Sequence, residues 1–231
     1  IGHEVFFTPE AIAINKARLA HLASLDLDLQ EKKVLEVGGG MGLHTDFFEK
    51  LGCNVLFTDA RADNVNYVKA RYPRRKTDIL NLDIESDLRG LGMFDVIYCY
   101  GTLYHLSKPE KALKTLAKIC REKILIETCV ALGNEDEVYF VEELSENPNQ
   151  SIRGVGCRPT RTWVMKRLKE YFGYAYTAIT QPRYPDFESD WANPKPQKLY
   201  RAIFIGSKQP LLNSKLSDVL LDKTPQIRIK E

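Results

Sequence analysis

VLEVGGGMGLHT, residues 34–45, decides the fold. An apolar run ends in Gly38, Gly40 and Gly42, with Glu36 two residues ahead of them, in the spacing E-x-G-x-G-x-G. The pattern reads as a buried strand, a sharp turn and the start of a helix. Glycines without Cβ let the backbone turn tightly and approach a ligand closely, where the following helix presents free N–H groups. The spacing departs from the dinucleotide fingerprint G-x-G-x-x-G, because Leu43 occupies the third glycine's place and Gly42 comes one residue early. A nicotinamide cofactor loses ground accordingly.

Outward from this turn, short β-rich runs alternate with amphipathic stretches, the pattern of a parallel sheet covered by helices. Upstream, PEAIAINKARLAHLAS (9–24) reads as a leading helix with Thr8 as N-cap and Pro9 at the first helical position. Strand KVLEV (33–37) is followed by a helix over 43–51, strand NVLFT (54–58), a helix ending at Tyr72 and a short strand at 76–80. FDVIYCY (94–100) and KILIET (123–128) are near-continuous apolar strands, buried on both faces, with a helix over 109–120 between them. A helix at 160–171 precedes AYTAIT (175–180) and LYRAIFIG (199–206), which have no helix between them and so pair antiparallel.

The chain is 231 residues long, with 44% hydrophobic and 28% charged residues and a formal net charge of +2. It is long enough for one α/β domain and too nearly neutral for charge alone to imply a polyanionic partner. The densest basic run, Arg71, Arg74, Arg75 and Lys76, reads as a solvated turn. Five cysteines without a CxxC pair indicate a reduced, cytoplasmic protein. No stretch has the ~20 apolar residues of a membrane helix. With Ile at residue 1, the sequence reads as trimmed or as a piece of a longer protein. The expected organisation is a single domain over 1–231: an N-terminal helical cap (1–30), a core (31–206) with inserts at 130–159 and 182–198, and a tail (207–231).

Two acidic residues extend the glycine signal. Asp59 ends the second strand about twenty residues after the first glycine, where a carboxylate accepts ribose hydroxyls. Asp83 follows the third strand, placed to accept from an adenine amino group, with Ile84 beside it at the same site.

In this order and spacing, Gly38 to Gly42, Asp59 and Asp83 resemble the glycine loop, ribose acid and adenine-side acid of class I S-adenosylmethionine methyltransferases. The resemblance spans roughly residues 33–206. It implies S-adenosyl-L-methionine as cofactor and an α/β Rossmann-like seven-stranded sheet, order 3-2-1-4-5-7-6, with the last strand antiparallel and helices on both faces. NKARLAHLASLDL (15–27) and YCYGTLYHLSKPEKAL (98–113) are similar to bacterial methyltransferases acting on glycans, small metabolites or a tRNA wobble base. In glycan-terminus enzymes a comparable N-terminal helix supplies an arginine for the methionine carboxylate, which matches Arg18 and suits a bidentate guanidinium. Tyr100 and Gly101 are then expected on the methionine side, with Tyr104 and His105 facing the acceptor. His105 is the candidate base, since an imidazole titrating near neutrality can deprotonate a hydroxyl.

The strand end CYGTLY is not the Asp/Asn-Pro-Pro-Tyr box of nucleobase amino-methyltransferases. There is no carboxylate cluster for Mg²⁺, and His3, His21 and His44 lack metal spacing and read as surface or loop residues. No metal is expected. Acceptor recognition falls to residues 1–8, 130–159 and 182–198. The aromatics Tyr184 and Trp191 are expected to stack on the acceptor, and Phe6 and Phe7 to join them as a lid. The acidic stretch Glu135, Asp136, Glu137, Glu142, Glu143 and Glu146 argues against a phosphate backbone. The expected function is O-methylation of a sugar, glycan or other small hydroxylated metabolite. The alternatives are tRNA methylation and a non-catalytic cofactor-binding scaffold subunit. The oligomeric state is not encoded in any motif.

Overall fold

The computed structural model describes residues 2–85 and 88–228. Among the described residues, ten strands and five α-helices follow in chain order. They are α1 (Pro9–Ser24), β1 (Lys33–Val37), α2 (Thr45–Lys50), β2 (Asn54–Asp59), α3 (Ala62–Arg71), β3 (Lys76–Ile79), β4 (Phe94–Tyr100), α4 (Pro109–Ala117), β5 (Cys120–Val130), β6 (Val138–Glu142), β7 (Val155–Pro159), α5 (Arg161–Phe172), β8 (Tyr174–Ala178), β9 (Tyr200–Ser207) and β10 (Leu216–Ser217). Thr8 caps α1 by accepting from the Ala11 N–H, and Thr160 caps α5 by accepting from the Trp163 N–H.

Eight strands form one sheet in the order β10-β8-β9-β5-β4-β1-β2-β3. With β8 and β9 as the sixth and seventh strands, this contains the expected order 3-2-1-4-5-7-6, and β10 adds an edge strand. Strands β1 to β5 run parallel, whereas β9 is antiparallel to both β5 and β8. Alternation along each central strand fills both faces. Leu35, Val37, Ile97, Cys99, Ile124 and Ile126 pack under α4 and α5 with Leu113, Leu116, Trp163 and Leu168. Their neighbours Val34, Val96, Tyr98, Tyr100 and Leu125 pack on the other side with Leu22 of α1 and Phe48 of α2. Phe57, on that second face, is covered by Val65 and Val68 of α3.

Register sets out the site. Val37 pairs with Thr58, so the glycine turn leaves β1 beside Asp59. Tyr100 pairs with Glu127, and Cys129 with Arg201, bringing Glu127 and Arg201 to the same sheet edge. Insert 130–159 contains the hairpin β6–β7, whose tip spans 143–154. Among the described residues no helix is long and apolar enough to cross a membrane.

Two expectations about the surface are corrected here. His21 is fully buried in α1 rather than a surface or loop residue, and His44, which does lie in the turn before α2, is buried rather than on the surface. His21 Nε2 meets the Thr180 carbonyl at 2.9 Å and His44 Nδ1 meets the Tyr98 hydroxyl at 2.9 Å, so each sits in a polar niche of the core. Arg75 is not solvated either. It chelates Glu49, pairs with Asp46, stacks on Tyr72 at 3.8 Å and donates to the Gly42 carbonyl at 3.0 Å, bracing the glycine turn from behind.

Candidate functional site

The glycine turn is a backbone cradle. Gly38, Gly40 and Gly42 all adopt positive φ, at 63°, 56° and 68°. A Cβ on Gly38 would lie 2.3 Å from Thr102 Oγ1 and one on Gly40 would lie 2.9 Å from the Phe6 ring. Neither position tolerates a side chain. The turn is tied to the next strand, because the Gly40 N–H donates to Asp59 Oδ2 at 2.9 Å. Asp59 Oδ1 accepts from the Arg61 N–H at 2.9 Å and from Asn64 Nδ2 at 3.1 Å. Burial nevertheless holds the Asp59 carboxyl above its ordinary range, with these three donors pulling the other way. Glu36, behind the turn, accepts from the Thr45 hydroxyl at 2.6 Å. Burial pushes its carboxyl up to about 7.

Glu36, Gly38, Gly40, Asp59 and Arg61 line one cavity of about 280 Å³ together with Phe6, Arg18, Asn81, Asp83, Tyr100, Tyr104, His105, Arg201 and residues 148–152. Asp83 is buried at its edge, its two oxygens accepting from the Ser107 and Lys108 N–H groups at 3.0 Å each. Ile84 is a correction. It is 61% exposed and does not line the cavity, because the turn begun by Asn81 rotates residue 84 outward and leaves Asn81 and Asp83 facing in.

At the floor, Arg18 donates to Glu127 Oε2 at 2.7 Å and to Asn15 at 3.1 Å, and Arg201 donates to Glu127 Oε1 at 3.1 Å and to Asp186 at 3.1 Å. A fully buried carboxylate is thus shared by two guanidiniums, which is what makes its burial tolerable. The Tyr100 hydroxyl and Arg18 Nε are buried with no partner. The Tyr104 ring carries the Arg158 and Arg201 guanidiniums at 5.3 and 5.0 Å and lies against His105.

His105 Nδ1 lies 2.5 Å from Glu143 Oε2, a residue 38 positions away at the tip of the β6–β7 hairpin. Burial lowers the imidazole's pKa, outweighing the upward pull of Glu143. On Glu143, burial alone would raise the carboxyl, but His105, the Ser151 N–H and Arg158 together outweigh it and the group lies below its ordinary range. An ionised Glu143 can only accept, so Nδ1 carries the proton and Nε2 keeps its lone pair.

A family model described as a methyltransferase domain matches residues 7–176. The chain belongs to that methyltransferase family. A tRNA U34 carboxymethyltransferase of Mannheimia succiniciproducens is 29% identical over 132 residues, 54% of this chain and 40% of that protein. The methyltransferase chain therefore spans about two fifths of the curated relative it matches. The N-terminal domain of EvdMO1, crystallised in the presence of SAH and D-fucose, superposes with a TM-score of 0.63 at 19% identity, covering 84% of this chain and 82% of that one. Magnesium protoporphyrin IX methyltransferase (ChlM) of Synechocystis PCC 6803 with bound SAM gives a TM-score of 0.55 at 11% identity, covering 87% and 85%. At such identities the structures speak for the fold.

In this methyltransferase the aromatic loop is not a lid. Tyr184 and Trp191, expected at the acceptor, do not line the cavity. Trp191 packs on the α4–α5 side, under the Arg161 guanidinium at 4.1 Å, and its indole N–H donates to Thr224 Oγ1 at 2.9 Å. Tyr184 packs with the opposite core cluster. Residues 216–227 lace the loop down through Asp222, Thr224 and Gln226, which pair with Trp191, Ser189, Tyr184 and Phe187. Of the four aromatics only Phe6 reaches the cavity, and Phe7 stands half-exposed against Tyr67. Three contributors escaped the sequence reading: Glu127, Arg201 and Glu143. Glu143 stood in view as part of the acidic stretch, but its partner is set by the hairpin.

Proposed function

We propose that the protein is an S-adenosylmethionine-dependent methyltransferase that methylates a hydroxyl of a sugar or other small metabolite, with His105 as the base. The observation that carries this reading is the His105–Glu143 pair on the wall of the cavity that also holds the glycine cradle. The residues fit the cofactor. Gly38 and Gly40, both at positive φ, present bare backbone to the cavity at positions where a Cβ would strike Thr102 or Phe6, and Asp59 Oδ2, accepting one bond, keeps a lone pair for a ribose hydroxyl. Arg18 and Tyr100 stand on the far side, for the amino-acid end. When bound, that cofactor supplies a methyl group already activated by a sulfonium, leaving the chain to align the acceptor and take its proton. His105 Nε2 takes that proton, and Glu143 stabilises the imidazolium that results.

Small-molecule chemistry is favoured by the cavity's size, about 280 Å³, with Phe6, Arg201 and residues 148–152 of the hairpin tip around it. A tRNA acceptor is the second reading, favoured by the carboxymethyltransferase relative. Five free cysteines, four of them buried, suit a reducing cytoplasm. The test is transfer of tritiated methyl from S-adenosylmethionine into fractionated extract. Label in an alkali-stable product of the small-molecule fraction supports the reading; label confined to RNA establishes the second; none in either overturns both.

A further inference from the structure

The hairpin tip closes one wall of the cavity and is held from two sides. From the β2–α3 side, Arg61 Nη2 donates to the carbonyls of Ser145 at 2.7 Å and Gln150 at 3.1 Å, and Asn64 Nδ2 lies 3.4 Å from the Pro148 carbonyl. The same two residues serve Asp59 through the Arg61 N–H and Asn64 Nδ2. From the β4 side, Glu143 Oε2 accepts from the Ser151 N–H at 2.7 Å as well as from His105. One unbroken series of polar contacts therefore runs from Asp59, through Arg61 and the tip, to His105. The tip has little apolar anchorage of its own, since Leu144 is 55% and Ile152 40% exposed. Its closure depends on these polar ties, as in other weakly packed segments.

We propose that Arg61 is a positioning residue: by fastening segment 145–150 it keeps Glu143 on the His105 imidazole and keeps water from that ring. The proposal rests on the reading of His105 as the base. Every charged or titratable group facing the ring comes from another strand or from its own turn. Glu143 follows β6, Arg158 belongs to β7, Arg201 to β9, and Tyr104 precedes it. Arg61 is not among them, so it acts on His105 through the tip rather than by its own charge.

Two substitutions then move the ring in opposite directions. Burial is what holds the imidazole low, and Glu143 pulls it up. Glu143→Gln removes the pull and leaves the burial, so His105 titrates at lower pH. Arg61→Ala frees the tip, removes burial and Glu143 together, and returns the ring upward to the ordinary histidine range.

The experiment is an imidazole ¹⁵N–¹H NMR titration of the protein alone, with His105→Gln to assign the resonance. The chain has four histidines, and burial holds His21 to about 4 and His44 to about 3, so the region near neutrality is uncrowded. Upward for Arg61→Ala and downward for Glu143→Gln is expected. An unmoved or downward resonance in Arg61→Ala overturns the proposal. Should Arg61→Ala not fold, Arg61→Met keeps the aliphatic stem but has no N–H for either carbonyl, and it must move the ring upward too. Calorimetry of SAH binding to the unaltered protein is run beside it. Absence of SAH binding defeats the cofactor reading, whereas the NMR titration decides Arg61 on its own.

Discussion

Replacing Glu36 with Gln should remove a pH dependence of stability that belongs to one buried carboxyl. Burial raises Glu36 from 4.5 to about 7 in the folded protein, with the Thr45 hydroxyl and Arg75 opposing. Between those values the unfolded chain has lost the proton and the folded chain retains it, so stability falls as pH rises through the window. The gap corresponds to about 3 kcal/mol, undiminished by solvent because the side chain is fully enclosed. Gln keeps an acceptor for Thr45 and cannot ionise. Glu36→Gln should therefore match the parent near pH 4.5 and exceed it by about 3 kcal/mol at about pH 8, which for a chain of this size is roughly 6–12 °C in Tm. Urea unfolding of both proteins across that range isolates Glu36, because every other group titrates alike in the two. Parallel profiles would refute the reasoning and place the charged form of Glu36 in the fold.

Asp59→Ala should weaken SAH binding roughly 5- to 150-fold, the loss of charged hydrogen bonds worth ~1–3 kcal/mol, by calorimetry. It should also unfold more easily, because the Gly40 and Arg61 N–H groups lose their acceptor. With an acceptor in hand, His105→Ala should cut turnover ~10²- to 10⁴-fold at nearly unchanged SAH affinity, and a parallel loss of SAH affinity would mean a packing role. Trp191→Ala should lower Tm, by roughly 4–8 °C for a loss of about 2 kcal/mol from Arg161 stacking and the Thr224 bond, without altering SAH binding. A change in SAH affinity at equal Tm would restore the loop to the site.

The parts of this molecule legible in sequence are those where a local pattern and a global constraint coincide. β1, β4 and α1 were bounded to the residue, since unbroken apolar strands and a Thr-Pro helix start leave little choice. The positive φ of Gly38, Gly40 and Gly42 was written in their identity. The hairpin β6–β7 carried no such mark, because VYFVE is largely exposed and has no buried face to declare its period. The partners of Arg18 and His105 lie 109 and 38 residues away, and only the sheet register and the hairpin bring Glu127 and Glu143 to them. The aromatic loop misled for a reason of physics. Aromatic side chains mark desolvated surface, and sequence does not say whether ligand or protein desolvates it; here Phe187, 1% exposed, shows that protein does.

The lacing of residues 182–198 by residues 216–227 has a kinetic side. Gln181, Ser189 and Trp191 make backbone bonds to Pro225, Thr224 and Asp222, partners some 30 to 45 residues further on. A ribosome moving at ~5–20 residues per second delivers those partners seconds after the loop itself has emerged. Until then the cover of Phe187 and Trp191 is incomplete, and β8 is an open edge inviting a wrong neighbour. Residues 216–227 thus complete the loop's burial, and protease or chaperone acting on the nascent chain before they emerge should find its mark between Pro182 and Lys198.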